Sequence, residues 1–250
     1  RRGTAEVQEL FGRKVFSFPK PIELLKQFTE SGLAADDIVM DFFSGSASMA
    51  QAIMELNAKD GGKRKYILVQ WPEACEKNSE AYKAGYSNIC EIGKARICRA
   101  GKAIREKNPL ITQKLDVGFR VFKSDTTNMQ NIYYTAGDYS QGMLEMLQSN
   151  IKEDRTDLDL LFGCLLEWGL PLSLPYTSEQ IDGCIVHNYN DGDLIACFDE
   201  NIPDSVIKAI AKKQPLRAVF RDSSFTDSPS KINVDEIFKL TAPNTRVKVI

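Results

Sequence analysis

Apolar and polar positions alternate along this chain with two different periods, and the changes between them mark out the elements. Ile38-Val39-Met40-Asp41-Phe42-Phe43 is an apolar run ending in an acid and aromatics, and it reads as a strand. Small residues follow, and then Met49, Ile53 and Leu56 recur at i, i+4 and i+7 as a helical stripe closed by Asn57 and Asp60-Gly61-Gly62. Tyr66–Gln70 is the next strand, giving a right-handed strand-helix-strand unit. Upstream, an irregular arm precedes a helix from Pro21 to Phe28, with Ile22, Leu25 and Phe28 on one face. Downstream, Glu73–Ala84 and Glu91–Lys107 read as helices, and Asp116–Lys123 as a further strand of the same domain.

Beyond Asp125 the pattern changes. Asn128–Gln141 is polar and aromatic with few periodic cues, which predicts a linker. Thr156-x-x-Asp159 is a capping box ahead of Leu158, Leu161, Leu165 and Trp168, a helix that stops at Gly169. Gly183–Tyr189 and Leu194–Asp199 flank Asn190-Asp191-Gly192 as a hairpin. Pro203 opens a helix carrying Val206, Ile207 and Ile210, Arg217–Phe220 is a strand, Asn233-x-x-Glu236 caps a helix, and Arg246–Ile250 is a last strand. Two domains follow, residues 1–124 and a smaller α/β unit over 125–250.

The chemistry concentrates where the first strand meets its helix. Gly45 lets the backbone approach a ligand, the free amides of the helix start face whatever lies over the turn, and Asp41 supplies an acceptor at the strand's carboxyl end. A dinucleotide pyrophosphate needs a glycine-rich turn and gains nothing from a nearby carboxylate, and the chain has neither G-x-G-x-x-G nor G-x-x-x-x-G-K-[ST] after the strand. A cofactor with a cationic centre, an amino group and no phosphate fits better, and S-adenosylmethionine has those properties. An NAD-type oxidoreductase is disfavoured by the same turn chemistry.

Asp41-Phe42-Phe43-Ser44-Gly45-Ser46-Ala47-Ser48 resembles the D-x-F-x-G-x-G cofactor motif of amino-methylating DNA methyltransferases, with Ala47 where that family usually has glycine and Ser48 where it has threonine. Phe16-Ser17-Phe18-Pro19-Lys20-Pro21 is similar to the family's F-x-x-P-K-P segment. Lys65–Glu73 is similar to its second strand, with Gln70 where many relatives carry glutamate. Asp60–Tyr66 and Val219–Phe225 extend the likeness to the modification subunits of type III restriction-modification systems.

The resemblance implies a partial Rossmann-like methyltransferase sheet followed by a smaller α/β domain for assembly or dimerisation. It implies S-adenosylmethionine held by Phe18, Lys20, Pro21, Asp41, Phe42, Phe43, Ser44, Gly45, Ser46 and Gln70. In the full-length enzyme it implies methyl transfer to the exocyclic amine of a flipped adenine in double-stranded DNA, alongside a restriction (nuclease/translocase) subunit and as a homodimer. The [DNS]-P-P-[YFW] loop that orients the amine is missing, since the chain has no adjacent prolines. Read this way, the chain is the C-terminal portion of a longer enzyme, inactive by itself. The competing interpretation is a non-catalytic, degenerate Rossmann-like assembly module.

Composition adds little to this. A net charge of −2 over 250 residues gives the chain as a whole no marked affinity for nucleic acid. The basic groups Lys63-Arg64-Lys65 and Lys94, Arg96, Arg99, Lys102 and Arg105 read as solvated faces. Six scattered cysteines without a C-x-x-C pair suit reduced, buried thiols in a cytoplasmic protein, and no run reaches the length of a membrane span. His187, the single histidine, has no evident ligand cluster or triad and reads as structural or surface, and Arg221 and Asp222 read as a self-contained pair.

Overall fold

The structure, a computed structural model, describes residues 2–107, 109, 115–130, 150–225 and 228–250. It divides into two compact units, residues 1–119 and 120–250.

The first unit contains α1 (Arg2–Phe11), α2 (Ile22–Gly32), β1 (Ile38–Phe42), α3 (Ser48–Asp60), β2 (Lys65–Val69), α4 (Glu80–Lys83) and α5 (Ile89–Lys107). The strands run parallel, Ile38 opposite Lys65 and Phe42 opposite Val69, with α3 as the connection between them. Ala50 and Met54 of α3 pack with Ile97, Ala100 and Ile104 of α5, and Tyr66 and Leu68 of β2 lie against them. The opposite face of the sheet is open: Ile38, Met40, Phe42, Ile67 and Val69 are 43–60% exposed.

Four expectations are corrected here. The N-terminal arm is helix α1, whose Val7 is fully buried beside Val15, Ala81 and Ile92. In α2 the inward residues are Ile22 and Thr29, with Phe28 exposed; the Thr29 hydroxyl donates to the carbonyls of Leu25 and Lys26 and so enters the interior already satisfied. Of Glu73–Ala84 only Glu80–Lys83 is helical, because the Ser79 hydroxyl accepts from the Tyr82 amide and starts the helix late, while Gly85, at φ +92°, ends it. Asp116–Lys123 forms no strand: the Asp116 carboxylate accepts from the Gly118 amide at 2.8 Å, a local turn that competes with a ladder. Val117 and Phe119 alternate because both lie on the α5 cluster.

The basic groups are not uniformly solvated. Arg64 is buried and forked onto the Asp60 carboxylate at 2.9 and 3.1 Å, and Arg96 has no exposed surface. Arg99 lies over the Phe11 ring at 4.6 Å. All six cysteines are free thiols, but only Cys164, Cys184 and Cys197 are buried; Cys75 and Cys90 are half-buried and Cys98 is exposed.

The second unit carries α6 (Asp157–Glu167), β3 (Tyr176–Ile181), β4 (Cys184–Tyr189), β5 (Leu194–Cys197), α7 (Asp204–Lys212), β6 (Arg217–Phe220), a 3₁₀ turn (Asp222–Ser224), α8 (Ser228–Thr241) and β7 (Arg246–Val249). The sheet order is β3-β4-β5-β6-β7, antiparallel as far as β5 and parallel from there to β7. Every residue of β5 is buried, as expected of a strand with apolar layers on both faces. Val206, Ile207 and Ile210 of α7 and Ile237 and Phe238 of α8 cover one face; Leu160, Leu161 and Leu165 of α6 cover the other.

The Asn190-Asp191-Gly192 hairpin forms, with φ of 46°, 50° and 98°. Strand β3 escaped notice because Thr177-Ser178-Glu179-Gln180 is polar and exposed at the sheet edge; it joins β4 through Asp182-Gly183, both at positive φ. Helix α8 begins before Asn233, whose amide donates instead to the Asp204 carboxylate at 3.0 and 3.1 Å. Arg221 and Asp222 pair outward, with Glu200 at 3.2 Å and Lys231 at 2.5 Å respectively, rather than with each other. The linker expected over Asn128–Gln141 lies outside the described residues from position 131 onward.

The capping box of α6 is complete: the Asp159 amide donates to Thr156 Oγ1 at 3.3 Å, and the Thr156 amide donates to Asp159 Oδ2 at 2.8 Å. That backbone bond is the main reason the Asp159 carboxyl lies below its ordinary pKa. A depressed folded pKa means that the contribution to stability is present above the unfolded value of about 4 and is lost as pH falls through the folded value. Thr156→Ala is therefore expected to cost about 1 kcal/mol in urea unfolding at neutral pH. Asp159→Asn should flatten the decline in stability below about pH 4; an unchanged acid decline would remove this assignment.

Candidate functional site

After β1 the chain passes through Phe43, Ser44, Gly45, Ser46 and Ala47 into α3, and alternate residues take left-handed angles: Phe43 φ 62°, Gly45 φ 53°, Ala47 φ 58°. The end of β2 holds this coil. The Ser44 amide donates to the Val69 carbonyl at 3.1 Å, the Gly45 amide to Gln70 Oε1 at 2.7 Å, and the Ala47 amide closes back on the Ser44 carbonyl at 2.9 Å. Gly45 has two reasons to lack a side chain: its positive φ, and the Phe16 ring, which a Cβ there would meet at 3.1 Å. Ala47, only 2% exposed, adopts the angle that glycine takes freely, at a cost for an L-residue of about 1–2 kcal/mol.

Asp41 is half-buried at the strand end. Its carboxylate has no hydrogen-bond donor or cation within reach among the described residues, and burial pushes its pKa upward. Three aromatic side chains of the first unit are largely exposed: Phe43 at 86%, Phe18 at 88% and Trp71 at 78%. Lys20 is exposed, and Pro21 is the residue from which α2 starts.

The structure thus gathers Ser44, Gly45, Ser46 and Gln70 into one hydrogen-bonded turn next to Asp41, Phe42 and Phe43. The segment with Phe18, Lys20 and Pro21 is tied to that turn through Phe16 against Gly45. Gln70 is committed at both ends of its amide, accepting from Gly45 and donating to the Trp71 carbonyl at 3.0 Å.

Three supporting residues were not anticipated. Gly3 lets α1 lie against the Pro19–Lys20 backbone, where a Cβ would come within 2.2 Å of the Pro19 carbonyl oxygen. The Glu6 carboxylate accepts from the Ile22 amide at 3.0 Å and so caps α2 from α1. Arg96, from the middle of α5, donates through Nη1 to Ser46 Oγ at 2.8 Å and Ser48 Oγ at 2.6 Å, and through Nε to Gln51 Oε1 at 2.9 Å. The signal for Arg96 was its place on the stripe Ile92-x-x-x-Arg96-x-x-x-Ala100, where a cation interrupts buried positions.

In the second unit the histidine is buried and partnered. His187 Nδ1 lies 2.8 Å from Ser178 Oγ, and Nε2 lies 3.4 Å from Asp157, tying β3 and β4 to the start of α6. Cys184, Cys197 and Asp199 draw their sulfur and oxygen atoms within 4.8 Å of one another. Burial pushes the Cys197 thiol up to about 12 and Asp199 accepts from the Ile185 amide, so the group forms part of the core.

Gly3→Ala is expected to cost about 1–3 kcal/mol in chemical denaturation through overpacking against Pro19. A wild-type midpoint for that variant would mean that α1 does not fix the Pro19–Pro21 segment.

No family model matches the chain. It is 40% identical over 132 residues to the type III restriction-modification enzyme StyLTI Mod subunit of Salmonella typhimurium, covering 53% of this chain and 20% of that protein. The EcoP15I Mod subunit of Escherichia coli aligns with the whole chain at 27% identity, over 38% of its own length. The type II methyltransferase M.KpnI of Klebsiella pneumoniae is 36% identical over 96 residues, 38% of this chain and 23% of that enzyme. The chain therefore spans between a fifth and about two fifths of the relatives it matches. The expected likeness to the modification subunits is borne out: the chain is similar to the Mod subunits of type III restriction-modification systems over a part of their length.

Proposed function

We propose that the first unit is the S-adenosylmethionine-binding half of a site-specific DNA adenine methyltransferase of the type III restriction-modification kind, a partial Rossmann-like sheet with Asp41 at its centre. Asp41 carries the reading: a half-buried carboxylate with no donor among the described residues, beside a turn that includes three left-handed residues. Such a group gains most from a ligand that brings hydrogen-bond donors and positive charge, and S-adenosylmethionine supplies an amino group, hydroxyls and a transferable methyl on a sulfonium. Phe43 offers an exposed ring for stacking, Phe42 and the Ser44–Ser46 backbone border the ligand, and Phe18, Lys20 and Pro21 close its far side. Gln70 serves by fixing Gly45.

The methyl group passes by direct displacement to the exocyclic amine of an extruded adenine, with positioning supplying most of the acceleration. The acceptor loop for that amine is not in this sequence, so the chain alone binds cofactor without methylating. The open apolar face of β1 and β2 supports a unit that is part of a larger fold with a further layer on that face, since parallel strands are ordinarily covered on both sides. In the whole enzyme the second unit assembles a homodimer that engages double-stranded DNA and the restriction subunit. The setting is the cytoplasm, and among the described residues no helix is long and apolar enough to cross a membrane.

Isothermal calorimetry with S-adenosylmethionine is expected to give saturable binding that Asp41→Ala weakens at least about tenfold, the loss of one charge-assisted contact. Binding indifferent to that change would sink the reading. The raised pKa of Asp41 has a definite sign. Its ionised form is disfavoured on folding, so it lowers stability as pH rises above the unfolded value, while the same ionised form is the one that binds. Asp41→Asn should therefore melt no lower than wild type at neutral pH yet bind more weakly, and wild-type affinity should fall as pH drops through the Asp41 pKa.

A further inference from the structure

We propose that Arg96 is a positioning residue for the cofactor turn, holding Ala47 in the left-handed conformation that the turn requires; this rests on the turn being the S-adenosylmethionine site. Arg96 has no exposed surface, and among the described residues no carboxylate touches it. Its nearest acids, Glu6 and Glu55, act only at a distance: Glu6 accepts from the Ile22 amide, and Glu55 accepts from Gln51 Nε2 at 3.0 Å and pairs with Lys26 at 2.8 Å. All three described bonds of Arg96 go instead to residues around Ala47: Ser46 before it, Ser48 after it, and Gln51 one turn further into α3. Both hydrogens of Nη1 are used on the two serines, whose hydroxyl oxygens are 3.3 Å apart, so one serine donates to the other while both accept from the guanidinium. Nη2 is buried without a hydrogen-bond partner among the described residues, and burial brings the guanidinium pKa down to about 10. A buried cation that forgoes an ion pair to bracket one strained alanine is an arrangement for shape rather than for charge neutralisation.

The geometry explains how alanine stands where related turns carry glycine. Glycine reaches φ near +58° without penalty, whereas alanine has to be held there. Arg96, Ser46 and Ser48 hold it from below, while Ser44 and Gly45 are held from β2 by Val69 and Gln70. Helix α5 lies against the turn at Gly93, where an added Cβ would be in ordinary contact with the Ala47 Cβ at 3.5 Å.

The decisive experiment is a double-mutant cycle on the full chain with Arg96→Met and Ala47→Gly, read by calorimetry with S-adenosylmethionine and by backbone NMR of the cofactor-free protein. Arg96→Met should weaken binding about tenfold, the cost of an unassisted left-handed alanine. It should also shift the amide resonances of Gly45 and Ser48 without cofactor. Ala47→Gly supplies the reference arm of the cycle, and in the Arg96→Met background it should restore most of the affinity that Arg96→Met loses. Additive effects with no rescue by glycine would overturn the proposal and leave Arg96 as core packing. Should Arg96→Met not fold, Arg96→Lys and the Ser46→Ala/Ser48→Ala pair replace it, with the same rescue expected and the same additivity fatal. If wild type binds no S-adenosylmethionine, the cofactor reading fails, and the NMR rescue still decides whether Arg96 sets the turn.

Discussion

A guanidinium withdrawn from water and given no carboxylate must find every hydrogen bond it can in neutral oxygens, and in the first unit those oxygens come from the turn and the opening of α3. This requirement couples α5 to the turn between β1 and α3. The apolar packing of Ala50, Met54, Ile97 and Ala100 brings the two helices together, and the Arg96 bonds then fix which rotation of one against the other is allowed. Gln70 does the same from the other side, since its side chain replaces the ladder partner that the Gly45 amide loses as the strand ends. The turn after β1 is thus defined by two side chains reaching in from elsewhere, while the Asp41 carboxylate beside it has no donor among the described residues.

How much of this was legible in the sequence follows from where the determining forces are local. The strand Ile38–Phe42, the stripe Met49-Ile53-Leu56 and the stop at Gly61 were readable because period, cap and left-handed glycine all act within a few residues. The capping box at Thr156 and the Asn190-Asp191-Gly192 hairpin were readable for the same reason. Helix α1 was not, because its position depends on a contact with Pro19 made sixteen residues from Gly3, and Gly3 by itself argues against a helix. Strand β3 was not, because an exposed edge strand of Thr, Ser, Glu and Gln has no buried face to impose alternation.

The candidate site divides in the same way. Asp41, Gly45 and Ser46 were visible as a strand-turn-helix signature, and their neighbours in sequence are their neighbours in space. Arg96 looked like one more cation in a basic helix, and only its fourfold spacing from Ile92 and Ala100 distinguished it from its solvated neighbours Lys94 and Lys102. Gln70 looked like a ligand-facing amide, and its commitment to Gly45 is a tertiary fact with no local sign.

The uncovered side of the two parallel strands has a practical corollary. Ile38, Met40, Phe42, Ile67 and Val69 form a row of apolar side chains open to water. Salting-out ions strengthen contact between such surfaces, while dilute, low-salt buffers weaken it. Contact through this flank is therefore expected to respond to salting-out ions in the direction opposite to a contact held by charge.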